Sequence, residues 1–155
     1  MIRRIDLALL ADVSAAAKAS PRQRKNRNFH PSDDYPGHRL LNAIEPGSYV
    51  MPHRHLDPRK DETMVCLAGR LGLVFFTEDG SVTEKLVAAP GTDLLGVDIP
   101  HGVFHSVLAL EPGTVFLEAK SGPYVPLIEA EKAPWAPTEG SAEASAYLQR
   151  LHELF

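Results

Sequence analysis

From residue 38 to residue 120 the apolar positions come in short runs of about six, each closed by a turn signal, which is the rhythm of an all-β sandwich or barrel. The runs predict strands at Arg39–Ile44, Ser48–His53, Thr63–Ala68, Leu71–Thr77, Ser81–Ala88, Thr92–Ile99, Phe104–Leu110 and Thr114–Lys120. Between Phe75-Phe76 and Val82, Glu78-Asp79-Gly80 predicts a hairpin turn with Gly80 at positive φ. Glu45-Pro46-Gly47 and Glu111-Pro112-Gly113 use one tripeptide twice, and proline followed by glycine at the central positions is what a type II turn requires. Short strands of this number in one domain fit a double-sheet jelly roll.

The flanks have a different rhythm. Asp6 to Ala19 places Leu7, Leu10, Ala11, Ser14, Ala15 and Lys18 at helical spacing, ended by Ser20-Pro21. A basic stretch follows, Arg22-Gln23-Arg24-Lys25-Asn26-Arg27-Asn28-Phe29-His30, and Pro31, Pro36 and Gly37 lead into the strands. At the far end, Ala142–Leu154 carries Ala146, Leu148, Leu151 and Leu154 in helical register behind Ser141 as N-cap. We expect one domain over residues 1–155, with a lead-in at 1–37, a β-barrel at 38–120 and a tail with a helix at 121–155. The leucines of the last helix also suit a contact between two copies of the chain.

Composition narrows the function. With 155 residues the chain can bury one sizeable core. Its formal charge of −4 gives no basic footprint for nucleic acid. The apolar stretch at Leu7–Ala11, flanked by Asp6 and Asp12 and followed by no cleavage region, is too short for a membrane span and reads as a poor signal peptide. One cysteine, Cys66, makes no internal disulfide and reads as a small buried hydrophobe. A cytoplasmic protein that binds a small molecule, with no nucleic acid and no membrane partner, is the expectation.

The chemistry lies in the histidines. His53 and His55 are two residues apart, and on a strand that spacing sends both rings to one face. Glu62 opens the next strand, and His105 follows the Pro100-His101-Gly102 turn on a third. Three imidazoles and a carboxylate make a mixed site for one divalent ion such as Zn, Fe, Ni or Mn. On a metal that accepts five or six ligands they leave room for substrate; on tetrahedral zinc they can close the site. The loop before Glu62 also offers Asp57 and Asp61 as substitutes. His101 reads as a rim residue, and His38 and His152 as solvated ones.

The order of these residues, Gly47-x5-His53-x-His55-x6-Glu62-x6-Gly69 and then Pro100-x-Gly102-x2-His105, resembles the two motifs of the cupin superfamily. The interval from His55 to Glu62 is longer than the family pattern, and Ala109 stands where members often carry asparagine. Further segments resemble the WbuC family of cupin-fold metalloproteins: the basic stretch 21–30, Leu41-Asn42-Ala43-Ile44-Glu45-Pro46-Gly47, Pro52-His53-Arg54-His55, Leu110-Glu111-Pro112-Gly113-Thr114, Gly122-Pro123-Tyr124 and Ala133-Pro134-Trp135-Ala136-Pro137. The resemblance implies a cupin double-stranded β-helix with a short helix at each end, and a metal on His53, His55, Glu62 and His105. Some members are encoded among genes for surface polysaccharide.

On that reading Arg24, Asn28, His30 and Tyr124 lie at the open end of the barrel as substrate-binding residues, with arginine suited to an anion. Glu118 and Asn42 are polar residues in apolar strands that face the pocket, and Glu118 can shuttle a proton. Three functions fit: isomerase-type Lewis-acid chemistry on a small polar or anionic sugar-like substrate, an Fe-dependent dioxygenase, or a non-catalytic sugar- or metabolite-binding module.

Overall fold

Seven of the eight expected strands form, and a strand that the apolar pattern did not announce joins them. The computed structural model describes all 155 residues, Met1–Phe155. In chain order the elements are α1 (Leu7–Ala19), β1 (Arg24–Asn28), β2 (Gly37–Ile44), β3 (Glu62–Ala68), β4 (Leu71–Phe76), β5 (Val82–Ala88), β6 (Gly96–Ile99), β7 (Phe104–Ala109), β8 (Thr114–Ser121) and α2 (Ala144–His152). They build a five-stranded sheet, β1-β2-β8-β3-β6, facing a three-stranded sheet, β5-β4-β7, with every pairing antiparallel. This is the cupin jelly roll. No helix is long and apolar enough to cross a membrane.

Strand alternation sorts the side chains into layers. Between the sheets, Ile44, Met64, Cys66, Leu71, Leu73, Val107 and Phe116 form the barrel core. Outside the larger sheet, α1 buries Leu10, Val13 and Ala17 against Leu41, Ala43 and Val115, and the Asp6 carboxylate caps its first turn by accepting from Leu9 N–H at 3.0 Å. Outside the smaller sheet, Val74, Phe76, Phe104 and Leu108 are covered by Ala133, Ala136, Leu148 and Leu151 of the tail. Leu148 and Leu151 are thus buried within their own chain, which withdraws them from the dimer contact expected of them.

Four local expectations change. Ser48–His53 is no strand: Pro52 has no N–H for a ladder, and the segment meets β7 through a single bridge at His53–His105. β1 comes from the basic stretch of the lead-in and pairs Asn26 with Asn42 at the sheet edge. Its polar side chains line a cavity, so no apolar period marked it. The two Glu-Pro-Gly turns also differ, since Gly113 has φ of 75° as a type II turn needs, whereas Gly47 is not in the left-handed region. Gly80 holds the hairpin with φ of 87°. Ser141 does not cap α2; Glu143 occupies the N-cap position without a side-chain bond.

Candidate metal centre and its cavity

His53 is fixed from both sides by main chain. Its N–H donates to His105 C=O at 3.0 Å and its C=O accepts from His105 N–H at 2.9 Å. The two rings then repeat one device: His53 Nδ1 lies 2.9 Å from Met51 C=O, and His105 Nδ1 lies 2.9 Å from Val103 C=O. A carbonyl only accepts, so each Nδ1 carries the proton and each Nε2 presents a lone pair.

Glu62 sits between the imidazoles and is almost wholly buried. Its Oε1 lies 3.1 Å from His55 Nε2 and accepts from Lys120 Nζ at 2.8 Å. Its Oε2 lies 3.0 Å from His105 Nε2, yet neither atom has a hydrogen-bond partner. With His105 protonated on Nδ1, two lone pairs face each other in a buried site, an arrangement that a cation between or beside them relieves. Donor atoms of His53, His55 and Glu62 all lie within 4.8 Å of one another. His105 adjoins that triplet through the Glu62 carboxylate. The donor set therefore fits a divalent metal, with three residues clustered and the fourth in contact.

Burial disfavours an ionised Glu62, but the hydrogen bonds and charge around it, those of His55 and the Lys120 ammonium among them, outweigh burial and hold its carboxyl well below the usual range. Burial first, and then the neighbouring His105, lowers His53 to about 3, so its ring is neutral and ready to ligate. Glu118 and Glu62 in turn keep Lys120 protonated against its own burial, raising its pKa.

Beside these residues the barrel encloses a cavity of about 290 Å³ whose lining includes His53, Glu62 and His105. A second cavity of about 440 Å³ opens from it toward the surface, and the two share Arg22, Arg24, Asn26, Asn42, Glu118 and Lys120. Arg24, Asn28, His30 and Tyr124 all line the outer cavity. Arg24 is already engaged, donating to Ser48 Oγ at 3.2 Å, Tyr49 C=O at 3.0 Å and Glu139 Oε2 at 2.7 Å. Glu118 lines both cavities, held by Lys120 Nζ at 2.7 Å on one oxygen and Asn42 Nδ2 at 2.6 Å on the other.

The loop acids do not replace Glu62. Asp57 binds Arg59, and Asp61 accepts from His101 N–H at 2.8 Å while facing its ring on the exposed rim. His38 is not solvated: it is buried and stacks on His30 with centroids 3.9 Å apart. Burial, and next the neighbouring His30, pushes the pKa of His38 down. His152 is also tied, to Pro46 C=O at 2.8 Å. Sequence reasoning missed Lys120, Asn26 and His38. The signal for Lys120 was its parity with Phe116 and Glu118 on one strand, which put it on the inward face.

Among solved structures the chain is similar to KdgF from Halomonas sp. at 21% identity and a TM-score of 0.51, over 68% of this chain and 84% of that one. It is similar to the capsular polysaccharide assembling protein CapF from Staphylococcus aureus at 22% identity and a TM-score of 0.55, over 65% of this chain but only 27% of that one. SPY1581 from Streptococcus pyogenes, described as a conserved protein of unknown function, matches at 14% identity and a TM-score of 0.51, over 78% of this chain and 91% of that one. At such identities these likenesses speak to the fold. No curated protein matches the sequence. A family model described as a domain of unknown function matches residues 5–88, more than half of the chain and all of α1 to β5, so the chain belongs to the DUF6016 family.

Proposed function

We propose that this protein is a metal-dependent enzyme of isomerase type acting on a small, polar, sugar-like molecule, with His53, His55, Glu62 and His105 holding one divalent ion. The observation that carries this reading is the unsatisfied pair Glu62 Oε2 and His105 Nε2, buried at 3.0 Å beside a cavity lined with polar groups. A bound divalent ion there supplies Lewis-acid polarisation of a substrate oxygen.

The remaining work falls to the chain. Glu118 is held on both oxygens as a fixed acceptor facing the cavity, placed to take a proton from the hydroxyl-bearing carbon beside a carbonyl and return it to the former carbonyl carbon, while the hydroxyl proton passes to the former carbonyl oxygen. No net oxidation occurs in that exchange. Asn26, Asn28 and Asn42 offer uncharged donors and acceptors suited to hydroxyl groups, with His30 and Tyr124 at the outer wall. Three of the cavity's cations favour a polar over an anionic ligand, because Arg22 and Arg24 pair with Glu139 and Lys120 pairs with Glu62 and Glu118. The segment likeness to WbuC-type cupins supports a carbohydrate substrate, as does the similarity in fold to a capsular polysaccharide assembling protein. A place in surface polysaccharide assembly is part of this proposal.

The test combines elemental analysis of native protein with proton exchange. We expect about one redox-inert divalent ion per chain. Deuterium from solvent should enter an aldose or ketose, read by NMR, and Glu118→Gln should abolish entry while the ion stays bound. Iron with oxygen uptake would instead support the dioxygenase, and sugar binding without exchange the binding module.

A further inference from the structure

We propose that Lys120 sets how Glu62 holds its cation, reserving one carboxylate oxygen so that Glu62 ligates through the other alone and divalent affinity stays moderate. This rests on the metal reading above.

Register puts Lys120 opposite Glu62 on the paired strands β8 and β3, with both side chains inward. Its Nζ lies 2.8 Å from Glu62 Oε1 and 2.7 Å from Glu118 Oε1, so two carboxylates fix one ammonium. On Glu62 the division is sharp: Oε1 has Lys120 and His55 as partners, while Oε2 has none and faces His105 Nε2. An unpartnered oxygen with almost no solvent exposure is the one left for a cation. The same ammonium also places a fixed positive charge next to the ion it serves, which lowers affinity through repulsion in a poorly screened site.

A mere brace predicts the opposite. If Lys120 only steadied Glu62, its removal would loosen the carboxylate and weaken binding. If it reserves an oxygen and repels the ion, removal leaves Oε1 with His55 alone, makes it available to the ion and strengthens binding.

The experiment uses full-length protein stripped of metal by chelator, with Zn²⁺ affinity read by competition against a chromophoric chelator and coordination read by Co²⁺ absorption. Lys120→Met should bind Zn²⁺ about tenfold tighter or more, with a Co²⁺ spectrum shifted toward higher coordination. Lys120→Arg keeps the charge and the donors and should match wild type in both readouts. Because Lys120→Met leaves the buried Glu118 carboxylate with Asn42 alone and no countercharge, Lys120→Met/Glu118→Gln removes both charges together and gives the same result if the proposal holds. Equal or weaker Zn²⁺ binding with an unchanged Co²⁺ spectrum in the folded variants overturns it. Wild type that binds neither ion overturns the metal reading itself, and this proposal with it.

Discussion

The main chains of His53 and His105 bond to each other in both directions, at 3.0 and 2.9 Å, although 51 intervening residues separate them and only one of the two belongs to a regular strand. That bridge brings the ring centroids to 4.7 Å. Each ring spends its Nδ1 proton on the carbonyl two residues before it, so backbone alone decides which nitrogen faces the cavity. These two of the four proposed ligands are thereby organised by main-chain bonds that do not depend on the side chains they aim.

His53→Ala or His105→Ala should therefore lose metal while keeping the fold. We expect bound metal per chain to fall about tenfold or more, since even supporting contacts to a ligand are worth that much. Circular dichroism should be unchanged, because the bridging N–H and C=O groups survive. Elemental analysis of purified variants checks this, and metal content equal to wild type in both would remove these histidines from the site.

In metal-free protein His53 should make stability depend on pH. The unfolded ring takes a proton near 6.5, whereas burial and then His105 lower the folded ring to about 3. Between those values the unfolded chain binds more protons, so stability rises with pH across that window and this contribution is constant above it. The slope from one such group is at most about 1.4 kcal/mol per pH unit. Urea unfolding from pH 4 to pH 7 should show a smaller slope in His53→Gln than in wild type; identical slopes would count against the assignment.

Much of this site was readable in the chain because strand parity is a strict rule. His53 and His55 share a face by spacing alone, and Glu62 and His105 follow turn signals at strand starts. The contributions of β1 and Lys120 were harder to see for a physical reason. Strand prediction leans on apolar alternation, and Arg24–Asn28 has none because its inward face lines a polar cavity. Lys120 reads as a solvated strand end until pairing sets it beside Glu62. The reverse error came at Ser48–His53, whose apolar residues are buried by loops and the tail instead of by a ladder.

The two glycines that bracket the first motif should behave differently when changed to alanine. Gly69 has φ of 72°, and an added Cβ would stand 2.7 Å from Thr114 Cα, a backbone atom that cannot move aside. Gly69→Ala should cost about 2 kcal/mol or more. Gly47→Ala meets only the end of the Gln23 side chain, which can swing away. Its cost should stay below about 1 kcal/mol. Thermal unfolding of both variants tests the ranking, and equal losses would refute it.

Leu148→Ala should act on the monomer. Leu148 lies buried against the outer face of the smaller sheet, among Val74, Phe104 and Leu108. Truncating such a side chain costs about 2–5 kcal/mol through lost burial and the space left behind. The oligomeric state by light scattering should not change. A shift in that state without loss of stability would return Leu148 to an intersubunit role.

Glu139 joins the tail to the basic stretch of the lead-in. Its carboxylate takes Arg22 Nε at 2.8 Å and Nη2 at 2.9 Å, and Arg24 Nη2 at 2.7 Å, fastening the tail across the cavity wall formed by β1. The Arg22 hydrogen bond above all, opposed by burial and aided by Arg24, holds its carboxyl down to about 2. A depressed carboxyl pKa contributes stability that is fully present above the unfolded value near 4.5 and is lost as pH falls toward 2. Because the group is about a third exposed, that contribution should be under about 1 kcal/mol. Glu139→Gln should lower the melting temperature slightly at pH 7, and the gap to wild type should narrow below about pH 4.5 and close only as pH falls to about 2. Freed of their partner, Arg22 and Arg24 would offer unpaired guanidinium groups to the cavity, so the variant should also gain affinity for a sugar acid over the matching neutral sugar. Calorimetry with galacturonate and galactose reads this directly; equal preference in wild type and variant would show that the clamp does not govern ligand charge.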